Sequence, residues 1–173
     1  MIHFVESIRG KLRDYPALAE IIALFLLVGI VYFAVKGALV LGFRSPYPIM
    51  GVKTGSMDHE DESWRINYKE RGFEPSEFPF QDGLQIGDLV FVKGVDSLDD
   101  IEVGDVIAWK YSNEKYIHRV WIINENEGTV TTRGDANEGF LEKEVNMSFD
   151  RIVGKAVFSV PYLGQLSIRF RGR

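Results

Sequence analysis

Few residues in this chain are equipped for covalent chemistry. It has no cysteine, which excludes thiol nucleophiles, thiolate metal sites and disulfides, and its three histidines are His3, His59 and His118. Ser56 lies in Thr54-Gly55-Ser56-Met57, directly after the apolar, β-prone run Tyr47-Pro48-Ile49-Met50-Gly51-Val52. A serine at a strand end beside glycine exposes its hydroxyl where a second backbone can approach closely. His118 sits in Tyr116-Ile117-His118-Arg119-Val120-Trp121-Ile122-Ile123, a β-branched and aromatic run that reads as a strand. Asp135 follows a glycine in Thr131-Thr132-Arg133-Gly134-Asp135-Ala136-Asn137. Taken singly, these are a turn serine, a hydrogen-bonded strand histidine and a turn aspartate. Together, in chain order, they supply a nucleophile, a base to take its proton and a carboxylate to fix the tautomer of the base. His59, three residues after Ser56, is the competing imidazole.

Local context decides between these readings. Thr54-Gly55-Ser56-Met57, Gly87-Asp88-Leu89-Val90-Phe91-Val92, Gly104-Asp105-Val106-Ile107, Ile117-His118-Arg119-Val120, Thr132-Arg133-Gly134-Asp135-Ala136-Asn137 and Pro161-Tyr162-Leu163-Gly164 occur in that order. The series resembles the type I signal peptidase family, specifically its archaeal and endoplasmic-reticulum branch, over about 46–164. In the bacterial branch a lysine base sits just before the Arg-Val pair; here His118 holds that place, with Lys110 and Lys115 the nearby lysines. The resemblance implies a serine endopeptidase that removes signal peptides from exported preproteins at the outer face of a membrane, without cofactor or metal. Ser56 is then the nucleophile, His118 the base and Asp135 its orienting carboxylate. The Ser56 backbone N–H and the Thr54 hydroxyl take the oxyanion-hole positions. Implied partners are preprotein signal peptides, membrane lipid and the protein translocation machinery, with the N-terminus cytoplasmic and the catalytic domain extracytoplasmic.

The chain departs from the family pattern in three places. Asp58-His59 stands where Glu-Pro is usual, and the link to the Gly87-Asp88 stretch is much longer, which marks 58–83 as an insertion. Relatives often carry a further aspartate shortly after the Gly-Asp box. Here the nearby acids are Glu138, Glu142 and Glu144, at other offsets, so the pattern assigns no second supporting carboxylate. Many relatives also have a second span after the Pro-x-x-Gly box, whereas 165–173 is too short for one, so either the chain has a single span or a second has been cut away.

These residues need an anchor and a scaffold. A polar leader, 1–16, carries Arg9, Lys11 and Arg13, and an apolar run follows over 17–43, broken only by Glu20 and Lys36. Since 21–35 is apolar all round, the run predicts a transmembrane helix in preference to a buried amphipathic one. Residues 44–164 predict a mainly β catalytic domain of signal-peptidase type, with strands at 89–93, 106–111, 116–124, 129–133 and 152–160 and turn signals between them. The acidic insertion mixes eight carboxylates with five aromatics and predicts a short helix near 62–71. It reads as a solvated loop anchored to the core by aromatics, or as a lid or membrane-facing flap. The edge around 49–53 is expected to receive substrate as an added strand. A basic tail at 165–173, with Arg169, Arg171 and Arg173, suits anionic head groups or solvent equally.

Composition narrows the alternatives. A net charge of −5 argues against a general nucleic-acid binder. Two other functions remain open: a related serine peptidase with one dedicated substrate, and a catalytically silent anchored β-domain that binds export machinery. Arg133-Gly134-Asp135 matches an adhesion tripeptide by chance, and Asn146-Met147-Ser148 is a glycosylation acceptor pattern.

Overall fold

The computed structural model describes residues 15–59 and 62–161. The expected leader lies largely outside the described residues, as do the basic tail and most of the Pro-x-x-Gly box. The chain divides into two compact units, Met1–Gly42 and Phe43–Arg173.

The first unit holds most of helix α1, Pro16–Phe43. Its 28 residues make a rod of ~42 Å at 1.5 Å per residue, longer than a ~30 Å hydrocarbon core. None of its residues is buried, and its apolar side chains point in all directions. It is long and apolar enough to cross a membrane. Arg44 ends it in the left-handed conformation, the usual way to stop a helix. The Phe43 carbonyl is then capped by the Gly94 N–H at 2.7 Å. A Cβ on Gly94 would lie 1.9 Å from the Arg44 carbonyl oxygen, so only glycine fits there.

The second unit is built on one antiparallel sheet. Its strands are β1 (Ile49–Gly51), β2 (Leu89–Lys93), β3 (Val106–Tyr111), β4 (Glu114–Asn124), β5 (Thr129–Arg133), β6 (Met147–Ser148) and β7 (Ile152–Val160). The order across the sheet is β1-β2-β7-β3-β4-β5-β6, so the last strand inserts between β2 and β3. The five expected strands are present. The two-residue β6 carries too little pattern to be read in advance.

Alternation along β3 explains why the sheet is covered on both faces. Val106 and Ala108 enter a core with Val52, Met57, Leu84, Val90 and Val92. Ile107 and Trp109, pointing the other way, enter a second core with Ile101, Val120, Val130 and Met147. β4 carries a bulge: its register with β5 shifts between Val120 and Ile122 and leaves Trp121 unpaired. The insertion docks there. Its helix α2, Ser63–Lys69, buries Trp64 and Tyr68 almost completely. The Tyr68 hydroxyl donates to the Val120 carbonyl at 2.9 Å, and Arg71 donates to the freed Trp121 carbonyl at 2.9 Å.

Candidate active site

Ser56 is placed by the turn that leaves β1. Just past β1, the Val52 N–H donates to the carbonyl of Asp88, the residue before β2, and the chain then turns through 54–57. The turn is clamped from across the fold: the Ala136 N–H donates to the Ser56 carbonyl at 3.0 Å. Gly134 makes this approach sterically feasible, because a Cβ there would lie 2.6 Å from the Ser56 carbonyl oxygen and 3.0 Å from its Cβ. The Ser56 N–H meets no acceptor among the described residues. The Thr54 hydroxyl lies 3.4 Å from Ser56 Oγ.

His118 reaches Ser56 from β4. Its Nε2 is 3.1 Å from Ser56 Oγ, and its ring is only 3% exposed. Its Nδ1 faces Glu144 Oε2 at 2.5 Å. A carboxylate accepts only, so Nδ1 carries the proton and Nε2 keeps the lone pair that a serine hydroxyl requires. Glu144 is itself fixed on both oxygens. Oε2 also accepts from the Thr132 hydroxyl at 3.2 Å, and Oε1 accepts from the Leu141 N–H at 2.7 Å. The side chain of Glu144 is fully buried.

Asp135 is placed elsewhere, which corrects the expected triad. Its carboxylate lies 2.7 Å from His59 Nε2 and accepts from Arg119 Nε at 3.0 Å and Nη2 at 2.7 Å. The physical reason is that 134–136 is already committed to clamping the Ser56 backbone, which leaves Asp135 beside Arg119 and the insertion. Burial alone would raise its pKa; the hydrogen bond from His59 and the charge and hydrogen bonds of Arg119 outweigh that and hold it below the usual carboxylate value. His59 stacks on Trp64, with ring centroids 4.5 Å apart, and its Nδ1 bonds the Gln81 carbonyl. It therefore belongs to the insertion's anchorage and not to the base. Glu138 and Glu142, which the sequence did not distinguish from Glu144, are exposed. Arg133 and Asp135 are both turned inward, which removes the adhesion reading of Arg133-Gly134-Asp135.

No family model matches this chain, and no curated protein does either.

A groove of about 450 Å³ opens beside Ser56 and His118. Ile49 to Thr54 lines one side and Asn113 to Ile117 the other, with Met57 and Leu84 between them in sequence and also on the lining. β1 is an edge strand, and β4 pairs only with β3 from Glu114 to His118, because its ladder with β5 begins at Arg119. Both walls thus carry backbone that an extended peptide can pair with. Lys115 also lies on the groove, with its Nζ 4.2 Å from the Tyr47 ring centroid. Among the described residues the base bonded to Ser56 is His118, and neither Lys110 nor Lys115 hydrogen-bonds the serine.

Proposed function

We propose that this protein is a membrane-anchored serine endopeptidase of signal-peptidase type, which removes N-terminal signal peptides from preproteins outside the cytoplasm. The observation that carries the reading is the 3.1 Å contact between Ser56 Oγ and His118 Nε2, on a groove lined by edge strand. The apolar helix and the six sequence stretches support it, and the family resemblance supplies the substrate class.

In this mechanism a preprotein segment lies extended in the groove. Ser56 Oγ attacks the scissile carbonyl carbon while His118 Nε2 takes its proton. Glu144, not Asp135, orients His118 and stabilises the imidazolium. The oxyanion forms against the Ser56 N–H and the Thr54 hydroxyl, donors of a kind worth ~3 kcal/mol each in the transition state. The imidazolium then protonates the leaving amine, and water, activated by the same histidine, hydrolyses the acyl-enzyme.

The test is cleavage of a model preprotein in detergent by wild type and Ser56→Ala, with circular dichroism confirming the fold of both. Wild type should release the signal peptide and Ser56→Ala should not. Cleavage by both variants removes Ser56 from the mechanism. A well-folded wild type that cleaves none of several unrelated preproteins, and resists acylation by a serine-directed probe, is a silent binding domain.

A further inference from the structure

Arg119 and Arg133 are direct partners on β4 and β5, an unfavourable placement for like charges. Arg119 resolves it by giving its N–H groups to Asp135 and to the carbonyls of Pro79 and Gly104. Arg133 does not. It is only 8% exposed, yet its side chain makes no hydrogen bond or ion pair among the described residues. Its guanidinium carbon lies 4.5 Å from the Trp121 ring centroid and 6.0 Å from that of Phe140. Arg71 lies 4.1 Å from the same Trp121 ring, with one bond, to the Trp121 carbonyl. Aromatic faces attract cations but offer no lone pair to their N–H groups.

We propose that Arg133, Arg71 and the Trp121 ring form a binding site for a phosphate dianion, either free or carried as a phosphate monoester. Two guanidinium groups lie over one ring, close enough for the charge of one to act on the other, with no carboxylate paired to either among the described residues. Asp135, the nearby buried acid, is held by Arg119 and His59. A carboxylate would neutralise one charge, whereas a phosphate dianion matches both and presents acceptors for the fork of donors that each arginine offers. Arg71 and Phe140 are exposed and Trp121 is half-exposed, so the group opens to solvent. Burial foremost, with the like charge of Arg133 adding to it, depresses the Arg71 pKa although Tyr68 pulls the other way. The chain as a whole carries −5, so its overall field does not draw anions, and the attraction is local to this pair. The site uses none of Ser56, His118 and Glu144, and stands whether or not the protein is a peptidase.

The experiment is titration calorimetry on the full chain in uncharged detergent and low-salt, mildly alkaline buffer. The probes are inorganic phosphate, phenyl phosphate, dihexanoyl phosphatidic acid and acetate. Wild type should bind at least one phosphate probe saturably, one per chain, and acetate at least about tenfold more weakly. Arg133→Gln should weaken phosphate binding at least about tenfold, as expected for a lost charge-assisted pair, and Arg71→Gln by several-fold. Glu142→Gln, an exposed control, should bind as wild type. Tighter binding of phenyl phosphate or of the lipid than of inorganic phosphate identifies a carried monoester, and the reverse identifies free phosphate. The proposal is overturned if wild type binds no phosphate probe, if acetate binds as tightly, or if Arg133→Gln binds like wild type. If Arg133→Gln melts too early to titrate, Arg71→Gln decides, and unchanged binding in it also overturns the proposal.

Discussion

His118 is held from both ends, by Ser56 Oγ at Nε2 and by Glu144 at Nδ1, while Asp135 faces His59 and Arg119. The two carboxylates should therefore fail differently. In Glu144→Gln an amide faces Nδ1 and no longer fixes the productive tautomer or stabilises the imidazolium. Single-turnover cleavage should fall by on the order of 10⁴-fold, as in the analogous protease substitution, with the fold retained. Asp135→Asn leaves His118 untouched but strips the counter-charge from Arg119. Breaking a buried pair in this way costs ~3–5 kcal/mol, so this variant should melt earlier and cleave nearly normally below its melting point. Measuring both rates below both melting points checks this, and the opposite ranking would restore Asp135 as the orienting group. The serine and the histidine were legible because each sits in a short stretch with its own β pattern. Glu144 was not, because its role depends on a distant turn, Glu142–Glu144, folding back over Thr132, and no spacing from Asp135 announces that.

At the level of elements, the insertion is a packed part of the sheet domain. Trp64 is stacked on His59 and lies under the Arg119 guanidinium, and Tyr68 bonds the bulge in β4. Burial, and after it the charge of Asp135, pushes the Tyr68 pKa well above its ordinary value, so its hydroxyl remains a donor. The aromatics in 58–83 made an anchored loop legible, but the bulge was not, because Val120-Trp121-Ile122 reads as unbroken strand. Asp135 ties this element to the sheet through His59 and Arg119, and that tie should respond to acid. Its folded pKa is lower than its unfolded one, so its contribution is complete above the unfolded value of ~3.9 and is lost as pH falls through the depressed folded value. Acidification below about pH 4 should lower the denaturant midpoint and expose 58–83 to an acid-tolerant protease. In Asp135→Asn that part of the pH dependence should vanish. An equally steep acid transition in the variant would assign the lability to other carboxylates.

On the scale of the whole molecule, the chain divides into two compact units, and the helix that makes up most of the first is long and apolar enough to cross a membrane. Magnitudes make this testable. Between Glu20 and Lys36 the helix has eleven Leu, Ile, Phe and Val residues, which contribute ~3–7 kcal/mol to insertion at ~0.3–0.6 each. One arginine at the centre costs ~2.5–3.5 kcal/mol and two cost roughly twice that. Leu26→Arg alone should therefore leave most of the protein inserted. Leu26→Arg combined with Phe33→Arg should tip the balance and release it. Lys36→Leu should insert at least as firmly as wild type, because Lys36 must otherwise reach an interface along its own stem. Alkaline carbonate extraction of membranes, followed by quantification of pellet and supernatant, reads all four forms. Release of the wild type into the supernatant, or equal retention of the double variant, would show that the helix does not sit in hydrocarbon. The ordering wild type, single and double variant is the discriminating result, since a helix buried against another protein would lose its contact at the first arginine.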